Sequence, residues 1–102
     1  QLVICENLID AMTNLKRGEL IHVLWWFSEA PRDILKNYVN EDDFETGVFA
    51  MRSPHRPNPI ALSLCEVKDI SNNIITVRGI EALDGSPILD IKKAIIRDGV
   101  IL

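Results

Sequence analysis

A chain of 102 residues has room for one small domain, since a single core needs roughly 100 residues and rarely divides below about 200. An apolar fraction of 47% excludes a disordered chain. The formal charge of −4 argues against a protein that grips nucleic acid over its whole surface, so any RNA contact has to come from a local basic patch, a second subunit or sequence outside this chain. No apolar run reaches the roughly 18 residues of a membrane span; the longest candidate is broken by His22 and Ser28. The start, Gln1 to Cys5, has neither the basic flank nor the small-residue cleavage site of a signal peptide, and its lack of an initiator Met is expected of a fragment or a processed chain. Cys5 and Cys65 have no CxxC spacing, so they are expected to be buried free thiols, kept reduced in a cytoplasmic protein.

Leu2 to Cys5 reads as a short strand. Asn7 or Asp10 can cap a short helix through Ala11, Met12 and Leu15, with Gly18 as its stop. Glu19 to Ser28 is rich in β-branched and aromatic residues and apolar on both faces, which predicts a strand in the middle of a sheet or barrel. Ala30 to Lys36 opens with Pro31 and suits a short helix or a connector. Asn40 to Thr46 carries four acids and reads as a solvated loop. Gly47 to Met51 is a predicted short strand leading into a proline-rich loop.

Ile60 to Ile70 is the next predicted strand, with Ile60, Leu62 and Leu64 on one face and Ala61, Ser63 and Cys65 on the other. The small face would let another backbone or a ligand come close. Ser71-Asn72-Asn73 is a hairpin turn, because Asn tolerates positive φ, and Ile74 to Ile80 returns as the partner strand. Ala82 to Pro87 forms a loop around Asp84-Gly85, before a last strand from Ile88 to Lys92. Short strands at close spacing predict a mainly β chain, a small β-barrel or curved sheet with one or two short helices, in a single domain over residues 1–102.

Two segments carry chemistry. Arg52, His55 and Arg56 place three donors within five positions, suited to a carboxylate or phosphate. Pro54, Pro57 and Pro59 hold that loop extended, so that Asn58 would meet a ligand with little entropy left to lose; the same features also suit a rigid connector. Asp84-Gly85-Ser86 is first of all a turn, and its Asp and Ser can also bind hydroxyls or an amine of a nucleoside. His22 and the run Trp25-Trp26-Phe27 suit a core, although the aromatics also offer a stacking surface for adenine. There is no P-loop, GxGxxG, metal-ligand spacing or serine nucleophile elbow, so ATP hydrolysis by a P-loop fold, Rossmann-type methyl transfer and a metal site all lose support.

The stretch from Gly47 to Ser63, Gly-Val-Phe-Ala-Met-Arg-Ser-Pro-His-Arg-Pro-Asn-Pro-Ile-Ala-Leu-Ser, closely resembles the signature of the TsaA-like family. That family includes a bacterial tRNA adenine-N6-methyltransferase that acts on threonylcarbamoyladenosine beside the anticodon. Leu83 to Lys92 is similar to the family's LDGTPVLDIKP segment, and Asp10 to Phe27 more weakly resembles its stretch ending in FSHLWVLYWF. The resemblance implies a small β-barrel, S-adenosylmethionine (SAM) as cofactor, tRNA as partner and a homodimer. Carried over residue by residue, it places Arg52, Ser53, His55, Arg56 and Asn58 at the cofactor, Leu62 packed on it, and Leu83, Asp84, Gly85, Ser86 and Pro87 closing it. Phe27, Ser28 and Glu29 would border the same pocket. Either Arg52 or Arg56 would bind the methionine carboxylate, and His55 is a proton acceptor by residue type alone. The family pattern has an extra N-terminal strand and a PRQPG-like loop that are not in this sequence, and Lys93-Ala94 stands where it has PY. Three readings follow: a SAM-dependent tRNA methyltransferase, a SAM- or nucleoside-binding module, and an interaction domain whose proline loop is only a connector.

Overall fold

The computed structural model describes residues 1–38 and 45–102. Nine strands and two short 3-10 helices occur among them, with no α-helix. Five strands form one antiparallel sheet: β1 (Leu2–Val3), β2 (Leu20–Trp26), β5 (Ile60–Ser71), β6 (Ile74–Arg78) and β7 (Ile88–Lys93), in the spatial order β1-β6-β5-β2-β7. Two further hairpins pair β3 (Lys36–Tyr38) with β4 (Glu45–Gly47), and β8 (Ile96–Arg97) with β9 (Val100–Ile101).

The mainly β expectation holds, but the sheet is open. Its edges are β1 and β7, and β1 pairs over only two residues before the chain turns away at Cys5. Between the edges runs a groove of about 520 Å³, walled on one side by residues from Val3 to Leu15 and on the other by β7. Barrel closure needs a hydrogen-bonded ladder across that gap, and no described strand supplies one.

The long aromatic strand is internal, flanked by β5 and β7, as expected; one face, Ile21, Val23 and Trp25, is buried, and the other, from Leu20 to Trp26, is half-buried. Ile21, Val23 and Trp25 point into the core beside Leu2, Cys65, Val67 and Ile75, each contributing roughly 1.5–3 kcal/mol of burial when fully enclosed. On β5 the small face is the inward one. Ala61 sits opposite Trp25, and the Trp25 indole Nε1 donates to Ser63 Oγ at 3.0 Å. The short side chains of that face make room for the indole. An irregularity between Val67 and Asp69 then shifts the pattern, so that Ile70 joins the core in place of Asp69.

The hairpin after β5 turns on Asn72 and Asn73, with Asn72 at φ 54° as its residue type predicts. Asn73 also fastens β1, its Nδ2 donating to the Ile4 carbonyl at 2.9 Å while the Ile4 N–H donates to the Asn73 carbonyl at 2.8 Å.

Other elements differ from expectation. The first helix is a 3-10 segment, Glu6–Met12, which starts ahead of both proposed caps and has no side-chain cap. Residues 30–35 form a connector, the second of the two alternatives. The predicted strand at Gly47–Met51 is β4 ending at Gly47, followed by a 3-10 turn over Val48–Ala50 that buries Val48. Most of the acidic run falls outside the described residues, while Glu45 and Thr46 belong to β4. The terminal hairpin β8–β9 was not expected; its turn is Asp98-Gly99, both at positive φ, between apolar flanks. No helix among the described residues is long and apolar enough to cross a membrane.

The two thiols part company. Cys65 is buried, and that burial pushes its pKa above the ordinary thiol value of 9.0, whereas Cys5 is exposed and so corrects the expectation that both are buried. Native protein treated with iodoacetamide at pH 8 is expected to label Cys5 within minutes and Cys65 only after denaturation, as read by peptide mass spectrometry. Equal labelling of both in the folded state would contradict the packing of β5.

Candidate functional site

Between β4 and β5 the chain crosses the proline loop, and this loop lies against the part of β5 that β6 does not reach. The β5–β6 ladder stops at the pair Glu66–Arg78, which leaves the edge of β5 from Ile60 to Leu64 unpaired. The loop reaches that edge: Arg52 Nη2 donates to the Leu62 carbonyl at 3.2 Å. In an antiparallel strand a residue's N–H and C=O face the same side, so the Leu62 N–H shares this open edge.

The loop holds its own shape. Arg56 Nη1 donates to the Met51 and Ser53 carbonyls at 3.1 and 2.9 Å, and Ser53 Oγ accepts from the His55 N–H at 3.2 Å. The Ile60 N–H closes onto the Asn58 carbonyl at 2.7 Å, and the Phe27 N–H onto the Pro59 carbonyl at 2.9 Å, joining the loop to the end of β2. Of the two candidates for a ligand carboxylate, Arg56 therefore has one guanidinium nitrogen engaged twice inside the loop, while Arg52 is exposed and, among the described residues, is bonded to Leu62 alone.

The result is a cavity of about 620 Å³, lined by Trp25, Phe27, Met51, Arg52, Ser53, Pro54, Arg56, Asn58, Pro59, Ile60, Ala61, Leu62, Ser63 and Glu81. Its size lies within the range of about 300–1,000 Å³ usual for small-molecule sites. A second hollow of about 170 Å³ shares the Trp25 and Phe27 wall and is lined further by Ser28, Glu29, Leu83, Asp84, Gly85 and Ser86. The Asp84-Gly85 turn is fixed by Ser86, whose Oγ and N–H both donate to the Leu83 carbonyl at 2.7 and 3.1 Å, with Gly85 at φ 85°. Trp25 and Phe27 contact each other with ring centroids 5.6 Å apart.

Twelve of the fourteen residues singled out from sequence thus line one of two hollows that share an aromatic wall. His55 and Pro87 line neither. The His55 ring buries Nδ1 with no hydrogen-bond partner, and Pro87 instead accepts the Trp26 N–H at 2.9 Å, tying the turn to β2. Sequence reasoning missed Glu81, the one acid among the described residues that line the larger cavity. It also missed Arg32, which joins the connector to the proline loop. Nothing local marks either residue; both arrive through tertiary placement. Trp25, which its sequence context suits chiefly to a core, is both buried and part of the wall. Among the described residues no group of three or more His, Cys, Asp and Glu is placed to hold a metal ion.

Comparison with known proteins gives a consistent picture. A family model described as the tRNA-methyltransferase O N-terminal domain matches residues 1–97. An S-adenosyl-L-methionine-binding protein of Archaeoglobus fulgidus is 40% identical over 93 residues, covering 91% of this chain and 67% of that protein. A mouse tRNA (adenine(37)-N6)-methyltransferase is 46% identical over 48 residues, 47% of this chain and 11% of the mouse protein. The crystal structure of TrmO from Pseudomonas aeruginosa superimposes with a TM-score of 0.65 at 30% identity, over 85% of this chain and 36% of that one. This chain therefore spans about a third of the TrmO chain and two thirds of the archaeal protein.

Proposed function

The chain belongs to the tRNA-methyltransferase O N-terminal domain family, and on that footing we propose that it binds SAM in the cavity beside Arg52. The proposed reaction is transfer of the SAM methyl group to N6 of threonylcarbamoyladenosine beside the tRNA anticodon, the methyl–sulfur bond breaking as the methyl–nitrogen bond forms and S-adenosylhomocysteine leaving as the thioether. The observation that carries the reading is the meeting of the proline loop, the unpaired edge of β5 and the aromatic end of β2 in one cavity of suitable size. The donor set fits SAM. Arg52 is available to its carboxylate, the Leu62 backbone edge and Asn58 to polar atoms of the nucleoside, and Trp25 and Phe27 to the adenine face. Glu81 gives the cavity a carboxylate for the ligand's cationic groups, and Asp84 in the adjoining hollow suits an amine or ribose hydroxyls.

Bound SAM supplies an electrophilic methyl group on a sulfonium. The chain's own part is to orient that group and the acceptor amine, and orientation alone can provide several kcal/mol, up to roughly 7–11. His55 is not among the residues that line the cavity, and the proposed acceptor of the proton lost from N6 is water. Arg32 lies against the proline loop that carries Arg52 and Arg56, and this basic stretch is the proposed contact of a chain of net charge −4 with tRNA. A second copy of the chain is the proposed partner for the outer face of β5, where Ile60, Leu62 and Leu64 stand 45%, 45% and 41% exposed in a row.

Isothermal titration with SAM is expected to show saturable binding at one site per chain. Absence of binding by folded protein overturns the proposal. A second reading, a SAM-binding module without tRNA methylation, is favoured by the relatives that are named as S-adenosyl-L-methionine-binding proteins, among them the 40% identical protein of Archaeoglobus fulgidus. Incubation with labelled SAM and tRNA carrying threonylcarbamoyladenosine separates the two: label in the nucleoside supports the methyltransferase, and binding without transfer supports the module.

A further inference from the structure

After β2 the chain turns through Phe27 to Ala30, with the Ala30 N–H donating to the Phe27 carbonyl at 3.2 Å, and Pro31 sends Arg32 back across the strand it has just left. The Arg32 guanidinium lies 5.3 Å from the centroid of the Trp26 ring. From there Nε donates to the Pro57 carbonyl at 2.7 Å and Nη2 to Asn58 Oδ1 at 3.2 Å. Stacking on an indole and donating through two nitrogens of a planar fork is a geometry that guanidinium provides and ammonium does not.

The consequence falls on Asn58. A carboxamide can turn either its oxygen or its NH2 toward a ligand, and the two ends are interchangeable in shape. Arg32 has only donors, so it fixes Oδ1 as the atom facing it and leaves Nδ2 as the end available to a ligand in the cavity that Asn58 lines. We propose that Arg32 is a positioning residue for the ligand site: anchored on Trp26 and the Pro57 carbonyl, it holds the Asn58 carboxamide so that the site presents a hydrogen-bond donor to an acceptor atom of SAM. The ligand part of this proposal rests on the SAM reading above.

The test has two arms. Without ligand, the Asn58 side-chain NH2 resonances are followed by NMR; in wild type they are expected to be dispersed, and in Arg32→Ala to collapse toward free-amide positions. Unchanged Asn58 resonances overturn the proposal, and thermal melts confirm that the variant folds. With ligand, SAM affinity is measured for wild type, Arg32→Ala, Arg32→Lys, Asn58→Ala and the double alanine variant. Arg32→Ala is expected to weaken binding by about tenfold, and Arg32→Lys to restore only part of it. In the Asn58→Ala background, loss of Arg32 is expected to change nothing further, because its effect passes through Asn58. Multiplying, independent losses would overturn the proposal. Wild type that shows the NMR effect and fails to bind SAM would overturn the SAM reading and the ligand part with it, while leaving the Arg32–Asn58 clamp standing.

Discussion

Replacing Gly79 with alanine is expected to lower the thermal midpoint by about 10–20 °C, which for a domain of this size corresponds to roughly 2–4 kcal/mol. Gly79 adopts φ 111°, a conformation L side chains rarely take, and a Cβ there would lie 2.7 Å from the Leu64 carbonyl oxygen. Backbone strain of about 1–3 kcal/mol and overpacking of about 1–3 kcal/mol act together, since the obstructing atom belongs to the backbone of the central hairpin. Gly85→Ala is the control: its φ of 85° is also positive, but a Cβ there meets nothing within 4 Å, so only the conformational cost of order 1 kcal/mol applies. Equal shifts for the two variants would show that contact with Leu64 is not what matters.

The position has a functional side. Gly79 is where the chain leaves the β5–β6 ladder, just beyond the pair Glu66–Arg78, and two residues later Glu81 lines the cavity. Its departure is what leaves the Ile60–Leu64 edge free for the proline loop. Gly79→Ala, assayed below its midpoint, is therefore expected to lose SAM affinity as well as stability.

The second large effect is on binding. Arg52→Ala is expected to weaken SAM by about 10- to 100-fold, the equivalent of about 1.5–3 kcal/mol for a lost hydrogen bond to a charged group. The thermal midpoint should move little, because Arg52 is exposed and makes one bond among the described residues, at 3.2 Å, to a strand-edge carbonyl. Arg52→Lys keeps the charge and loses the planar fork, so it should fall between the two. Titration calorimetry paired with melting curves distinguishes the outcomes: unchanged affinity would remove Arg52 from the site, and a matching collapse in stability would mean that the residue supports the loop rather than the ligand. Arg56→Ala should differ in kind, since its bonds to the Met51 and Ser53 carbonyls hold the loop together.

Much of this protein is local in origin. The β-branched and aromatic content of Glu19 to Ser28 is enough to make a strand, and the turn at Asn72-Asn73 is enough to fold β5 onto β6, because strand preference and positive φ are properties of a few adjacent residues. The prolines at 54, 57 and 59 stiffen their loop wherever it lies, and the family signature in the same stretch names the cofactor it is proposed to hold. Which face of β5 turns inward was not decidable from the alternation alone. Ile60, Leu62 and Leu64 are the more apolar set, and they point outward because the inward positions must admit the Trp25 indole.

Tertiary structure decided the rest, for a reason common to each case: the partners lie far apart in sequence. Arg32 meets Asn58 across 26 positions, and Trp25 meets Ser63 across 38. Whether a sheet closes depends on what stands between β1 and β7, its first and last strands in the chain, and no strand's own sequence reports that. The sequence by itself determined the strands, the stiff loop and the kind of chemistry that loop can offer. Only the packed sheet decided that Arg52 faces an open strand edge, that Arg56 is turned inward on its loop, and that Arg32 and Glu81 stand at the site, because contacts between distant residues exist only once the chain has folded.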